Sequence, residues 1–85
     1  MQNENINKAI HLYPNPARNE FQIAFDNSIN RNEINNISIY NTYGVKVFET
    51  NKCSEIFSLD NISCGVYIVK IALGNYLLNQ KLIIH

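Results

Sequence analysis

Apolar and polar residues alternate along this chain in short bursts. Phe21, Ile23 and Phe25 are separated by Gln22 and Ala24. Ile37 and Ile39 alternate with Ser38 and Tyr40. Tyr76, Leu78, Leu82 and Ile84 alternate with Leu77, Asn79, Lys81 and Ile83. A period of two marks a half-buried strand, whose successive side chains point to opposite faces. No window repeats apolar residues at the i, i+3, i+4, i+7 spacing of a helix. One stretch breaks the alternation. In Gly65-Val66-Tyr67-Ile68-Val69-Lys70-Ile71 both rows are largely apolar, Tyr67, Val69 and Ile71 on one side and Val66 and Ile68 on the other. Such a run predicts a strand in the middle of a sheet.

Turn signals divide the rest. Ile10 to Tyr13 is a short strand stopped by Pro14-Asn15-Pro16, and paired prolines assign it to an edge. The second strand, Phe21 to Phe25, ends at Asp26-Asn27-Ser28, and a polar loop follows through Glu33. Asn41-Thr42-Tyr43-Gly44 joins the third strand to a fourth, on which Val45 and Val47 continue the pattern. Gly44 supplies the positive φ that a tight hairpin needs. Phe57 and Leu59 make a short fifth strand. Asp60-Asn61 then turns, with Asp60 read as the turn-forming side chain, and Ile62 tucks into the core. The sixth strand runs from Gly65 to Ala72. Gly74-Asn75 turns into a seventh that reaches the C-terminus. Seven short strands with turns about every 8–12 residues predict an all-β, antiparallel, immunoglobulin-like sandwich. Tyr67, near the start of the sixth strand, stands where a tyrosine corner sits, with its ring inward and its hydroxyl bonded to upstream backbone.

Composition adds limits. The chain has 85 residues, room for one domain, and a 46% hydrophobic content with no Trp. Residues 1–9 read as a polar linker remnant and residues 10–85 as the domain. Formal net charge is zero and the cations are scattered. The basic stripe of a nucleic-acid binder is missing, and so is the polybasic patch of an anionic-membrane binder. The apolar runs are far short of the roughly 20 residues that span a bilayer. The absence of a charged-then-apolar leader fits either a cytosolic protein or part of a longer exported precursor.

The residues give no basis for catalysis. His85 is terminal, His11 lies on the outer side of the first strand, and the acids are dispersed. Cys53, Cys64, His11 and His85 lack metal-ligand spacing. Cys53 and Cys64 flank a strand and read as isolated thiols, one per loop, rather than a disulfide. No cofactor motif is present. We expect no enzyme, no metal and no cofactor. An adhesion or carbohydrate-binding module is the alternative, with Tyr40, Tyr43 and Phe48 as its aromatic platform.

Four segments in order carry a family resemblance. They are Leu12-Tyr13-Pro14-Asn15-Pro16-Ala17 with Phe21-Gln22-Ile23; Ile37-Ser38-Ile39-Tyr40-Asn41 with Gly44; Phe57-x-Leu59-x-x-Ile62-x-x-Gly65-Val66-Tyr67-Ile68-Val69-Lys70-Ile71; and the terminal Lys81-Leu82-Ile83-Ile84. Together, over residues 10–85, they resemble the type A C-terminal sorting domain of the bacterial type IX (Por) secretion system. Two positions depart from the common pattern, Val45 directly after Gly44 and Cys64 before Gly65.

The resemblance implies a seven-stranded sandwich that follows a cargo domain and addresses that cargo for export. The implied partners are the N-terminal cargo, the outer-membrane translocon and its shuttle, and a sortase-like surface peptidase that cuts around residues 3–10. The implied route is the periplasm in transit, then the cell surface or the medium. Recognition residues are expected among Pro14, Asn15, Pro16, Gly65, Val66, Tyr67, Ile68 and Lys81. The bland readings stand beside these. Pro14–Pro16 is either a stiff recognition turn or a strand terminator. Val66 and Ile68 are either an exposed strip or covered by a loop or helical turn. Lys81 is either part of a read-out surface or an edge charge that blocks pairing. A homodimer through an exposed edge strand is also expected to be open to this chain.

Overall fold

The computed structural model describes residues 9–53 and 56–85. The expected linker, apart from Ala9, lies outside the described residues. Among the described residues seven strands form: β1 (Ile10–Tyr13), β2 (Glu20–Phe25), β3 (Ile34–Tyr40), β4 (Lys46–Thr50), β5 (Phe57–Ser58), β6 (Gly65–Leu73) and β7 (Tyr76–Ile84). They make a three-stranded sheet, β1-β2-β5, and a four-stranded sheet, β4-β3-β6-β7. Every strand pairing is antiparallel. This is the expected sandwich. The chain changes sheet between β2 and β3, between β4 and β5, and between β5 and β6.

The core is the sum of the inward rows. Phe21 and Ile23 of β2 and Phe57 of β5 face Ile37 and Ile39 of β3, Tyr67, Val69 and Ile71 of β6, and Leu78 and Leu82 of β7, all buried in one cluster. The Phe21 and Phe57 rings stack with centroids 5.0 Å apart. Full burial of each such side chain stabilises the fold by about 1.5–3 kcal/mol relative to exposure. Leu59 is buried and Ile62 packs against the same cluster, as the corner reading required. β6 is central, flanked by β3 and β7, as its doubly apolar sequence predicted.

Local turn chemistry closes the hairpins. The Asn41 carboxamide oxygen accepts from the backbone N–H groups of Tyr43 (2.9 Å) and Val45 (3.0 Å), and Gly44 takes φ +82°. Gly74 heads the two-residue β6–β7 loop at φ +57°. The expected polar loop after β2 contains one short 3-10 turn, Arg31–Glu33, capped by the Asn30 side chain on the Asn32 N–H.

Two readings need correction. Val45 and Val47 do not continue an inward row; both are exposed, and Phe48 packs toward the core instead. The cause is a bulge, since Tyr40 pairs with Lys46 but Ile39 pairs with Phe48, leaving Val47 as the extra residue. Asp60 is not the turn-forming side chain. At that corner the Asp60 N–H donates to the Ser58 hydroxyl, and Asn61 takes the left-handed conformation at φ 71°. The side-chain turn of that kind is at Asp26, whose carboxylate accepts from the Ser28 N–H at 2.8 Å.

Candidate functional site

Asn15 sits between two residues that lack a backbone N–H. Pro14 and Pro16 both follow cis peptide bonds. β1 pairs with β2 in one sheet, and beyond the second proline Ala17 bridges Ile84 of the other sheet in parallel. The Pro-Asn-Pro segment therefore carries the β1–β2 connection out to the edge of the other sheet before β2 returns to the first. The Asn15 carboxamide behaves like a strand residue there. Its nitrogen donates to the Lys81 carbonyl (2.8 Å), and its oxygen accepts from the Ile83 N–H (3.0 Å). Ala17 extends the pairing. Its N–H donates to the Ile83 carbonyl, and its carbonyl accepts from the His85 N–H, both at 2.7 Å. The outer edge of β7 is thus occupied from Lys81 to His85. Pro14 and Pro16 also line a shallow cleft of about 560 Å³ with Arg18, Asn19 and Glu20.

Gly65 and Tyr67 form the second feature. The Tyr67 ring is buried, and its hydroxyl donates to the Ser63 carbonyl at 2.6 Å. This is the expected tyrosine corner, and it ties the crossing segment to the strand it feeds. Gly65 enters β6 at φ +157°, which L side chains rarely adopt, and the Tyr67 ring lies over it.

Val66, Ile68 and Lys81 form the third. In register, Val66 stands opposite Ile83 and Ile68 opposite Lys81, with Tyr40 on the other side of Ile68. All point away from the core. Val66 is 42% exposed and Ile68 is half-buried. No described strand or helical turn lies over this face. The geometry thus separates the eight expected residues into three places. Asn15 meets the backbone of Lys81; Val66, Ile68 and Lys81 share an outer face; Gly65 and Tyr67 build the corner.

The sequence matches the family profile described as the secretion system C-terminal sorting domain over residues 11–85. The chain belongs to this family, the C-terminal sorting domains of type IX secretion. No curated protein matches the chain. The match runs from β1 through the last strand, so it spans the clasp, the corner and the outer face. As a sorting domain of this kind, the chain marks an N-terminal cargo for export to the cell surface or beyond it.

The aromatic platform of the alternative reading does not assemble in the sorting domain. Tyr40 faces outward beneath the Lys70 ammonium, 5.0 Å from its ring centroid. Phe48 packs toward the core, and Tyr43 stands at the hairpin tip, 89% exposed. The two thiols are free; Cys53 is half-buried and accepts from the Arg31 guanidinium at 3.6 Å, while Cys64 is exposed. Among the described residues no three His, Cys, Asp or Glu side chains group to hold a metal ion.

Sequence reasoning missed a polar network on the outer face. Ser38 donates to Asn36 (2.7 Å), Asn36 donates to one oxygen of Glu49 (2.9 Å), and Lys46 bonds the other (2.7 Å). The Lys46 bond, and then the Asn36 bond, hold the Glu49 carboxyl below its ordinary range, and the same pair raises Lys46. Only the bulge at Val47 puts Lys46 and Glu49 on one face, so alternation alone could not have found the pair.

Proposed function

We propose that this domain is a passive address. The outer-membrane translocon and its shuttle read it after periplasmic transit, and a sortase-like surface peptidase then removes it from its cargo. Residues 10–85 are the address and residues 1–9 the remnant of the linker to the cargo. Cleavage falls before Ala9, because Ala9 and Ile10 are buried and the Ala9 carbonyl accepts from the Asp26 N–H. A peptidase needs an unpaired, accessible segment. The domain itself performs no catalysis and carries no cofactor. The observation that supports reading by a partner is the exposure of Val66 and Lys81 beside half-buried Ile68 on a sheet whose opposite face builds the core.

Pro14, Asn15 and Pro16 serve this reading by fixing the last strand. In the four-stranded sheet a homodimer through an edge would use β4 or the first half of β7, since Asn15 and Ala17 already occupy the edge from Lys81 onward.

The test is a reporter fused ahead of residues 1–85 in a bacterium that has the type IX system. The reporter is expected outside the cell or on its surface. Deletion of Lys81–His85 is expected to hold it in the periplasm. A folded fusion that stays periplasmic with the domain intact overturns the proposal.

A further inference from the structure

The outer face of the four-stranded sheet carries more than an apolar strip. One row across it reads Lys46, Tyr40, Ile68, Lys81, and the next reads Glu49, Ser38, Lys70, Asn79. Val66 and Ile83 lie opposite one another beside Ile68 and Lys81. The face therefore has an apolar centre of Val66, Ile68, Ile83 and the Tyr40 ring, and Lys46, Lys70 and Lys81 stand around it. Glu49 is the only acid in these rows, and its two oxygens are taken by Lys46 and Asn36. Among the described residues no ion pair holds Lys70 or Lys81.

Lys70 and Lys81 are diagonal neighbours on adjacent strands, because Lys70 pairs with Asn79 and Lys81 lies two residues on. Diagonal neighbours stand about 7–8 Å apart. The Lys70 ammonium lies over the Tyr40 ring, 5.0 Å from its centroid, and among the described residues neither it nor Lys81 meets a carboxylate, so both charges stay open to an anion beside exposed apolar side chains. The chain as a whole is neutral, so this is a local excess and not an overall bias.

We propose that this face is the docking surface of the sorting domain, and that it takes a protein partner which sets a carboxylate between Lys70 and Lys81 and an apolar side chain against Val66, Ile68 and Ile83. The inference rests on the secretion reading above and names the chemistry of the component that performs it. Two lysines without a carboxylate partner are too few to hold a domain on an anionic membrane, where clusters of about four to eight act. An apolar centre with a charged rim is the anatomy of a protein interface. Charge at such a rim sets encounter and excludes wrong partners.

The experiment uses the reporter fusion in the secreting host. A photo-crosslinking amino acid replaces Ile68 on this face or, as a control, Ala24 on the outer side of β2. Lys70→Glu with Lys81→Glu is compared with Lys52→Glu, which lies off the face, and with the neutral pair Lys70→Gln and Lys81→Gln. Circular dichroism melting of each purified chain checks the fold. Export is expected to fall by about tenfold or more in the Glu pair, because each partner contact becomes a like-charge contact. The Gln pair is expected to fall less and Lys52→Glu not at all. The crosslink from position 68, identified by mass spectrometry, is expected to join a component of the secretion machinery with acidic residues at the joined segment. Position 24 is expected to give no such product.

If the Glu pair does not fold, the Gln pair carries the test. Unchanged export of a folded pair alongside normal export of the parent fusion overturns the docking face while leaving the secretion reading intact. Failure of the parent fusion itself overturns both. The purified chain is also mixed with vesicles of phosphatidylglycerol and phosphatidylcholine. Lysine-dependent sedimentation with those vesicles, without a protein crosslink from position 68, overturns the proposal in favour of a membrane surface.

Discussion

The two sides of β6 make opposite use of similar residues. On one side Tyr67, Val69 and Ile71 are packed to near-complete burial between the sheets. On the other, Val66 and Ile68 meet solvent beside Lys81 and Lys70. The chemistry of the side chains does not separate the rows; Ile71 and Ile68 are identical. What separates them is whether a second sheet lies above. The strand is therefore both the centre of the core and the floor of the face that remains open. In an 85-residue chain, whose stability is a small remainder of large terms, the inner row carries the fold and the outer row is free for other use.

The sharpest way to break this contrast is to truncate each row in turn. Ile71→Ala is expected to cost about 2–5 kcal/mol in urea unfolding, through lost transfer energy and the cavity left behind. Val66→Thr keeps the β-branch on the outer face and is expected to stay within about 0.5 kcal/mol of the parent. Equal losses would mean that the outer face is covered after all. Next in size is the clasp on the neighbouring strand. Asn15→Ala removes both side-chain bonds to β7 and is expected to cost about 1–3 kcal/mol. It also uncovers backbone groups on a sheet edge, so concentration-dependent association in sedimentation is expected to appear.

A smaller effect is expected at the corner. Tyr67→Phe leaves the buried ring and removes the bond to the Ser63 carbonyl, at a cost of about 0.5–1.5 kcal/mol by thermal melting. A neutral result would show that ring burial alone holds the crossing. The smallest effect belongs to the exposed carboxylates. Hydrogen bonds from Ser28 hold Asp26 below its ordinary value of 3.8, and bonds from Lys46 and Asn36 hold Glu49 below 4.5. The unfolded chain takes up these protons at higher pH than the folded one does, so their stabilisation is present above those values. It is lost as pH falls through the lower folded values. Thermal midpoints are expected to drop slightly below about pH 4.5, and Glu49→Gln is expected to reduce that slope.

Much of this architecture was legible from local pattern. The strand positions, the hairpin at Gly44, the Gly74-Asn75 turn and the inward Tyr67 follow from alternation and turn chemistry, both of which act over a few residues. Where the reading failed, a local device had changed the phase. At Val47 one extra residue on β4 turns the side chains that follow, so Phe48 takes the inward place assigned to the valines. A bulge leaves no periodic mark in so short a strand. Asp60 had the expected residue type for its turn, but the Ile62 N–H that its side chain would bind goes to the Leu59 carbonyl instead. The outer-face residues were singled out as a pair of alternatives, because a doubly apolar strand reads the same whether its second face is covered or not.

The sequence by itself determined that this chain forms seven strands, which rows of side chains are apolar, and that its segments fit one family of sorting domains. These properties depend on neighbours within a turn or a strand. Only the tertiary structure decided what lies over each row and what the Pro-Asn-Pro segment does. Asn15 reaches partners 66 and 68 residues away, the Lys81 carbonyl and the Ile83 N–H. Two prolines announce a stop in the chain but not the strand that will lie beside it. That contact exists because the sandwich closes and brings the connection between the first two strands against the last strand.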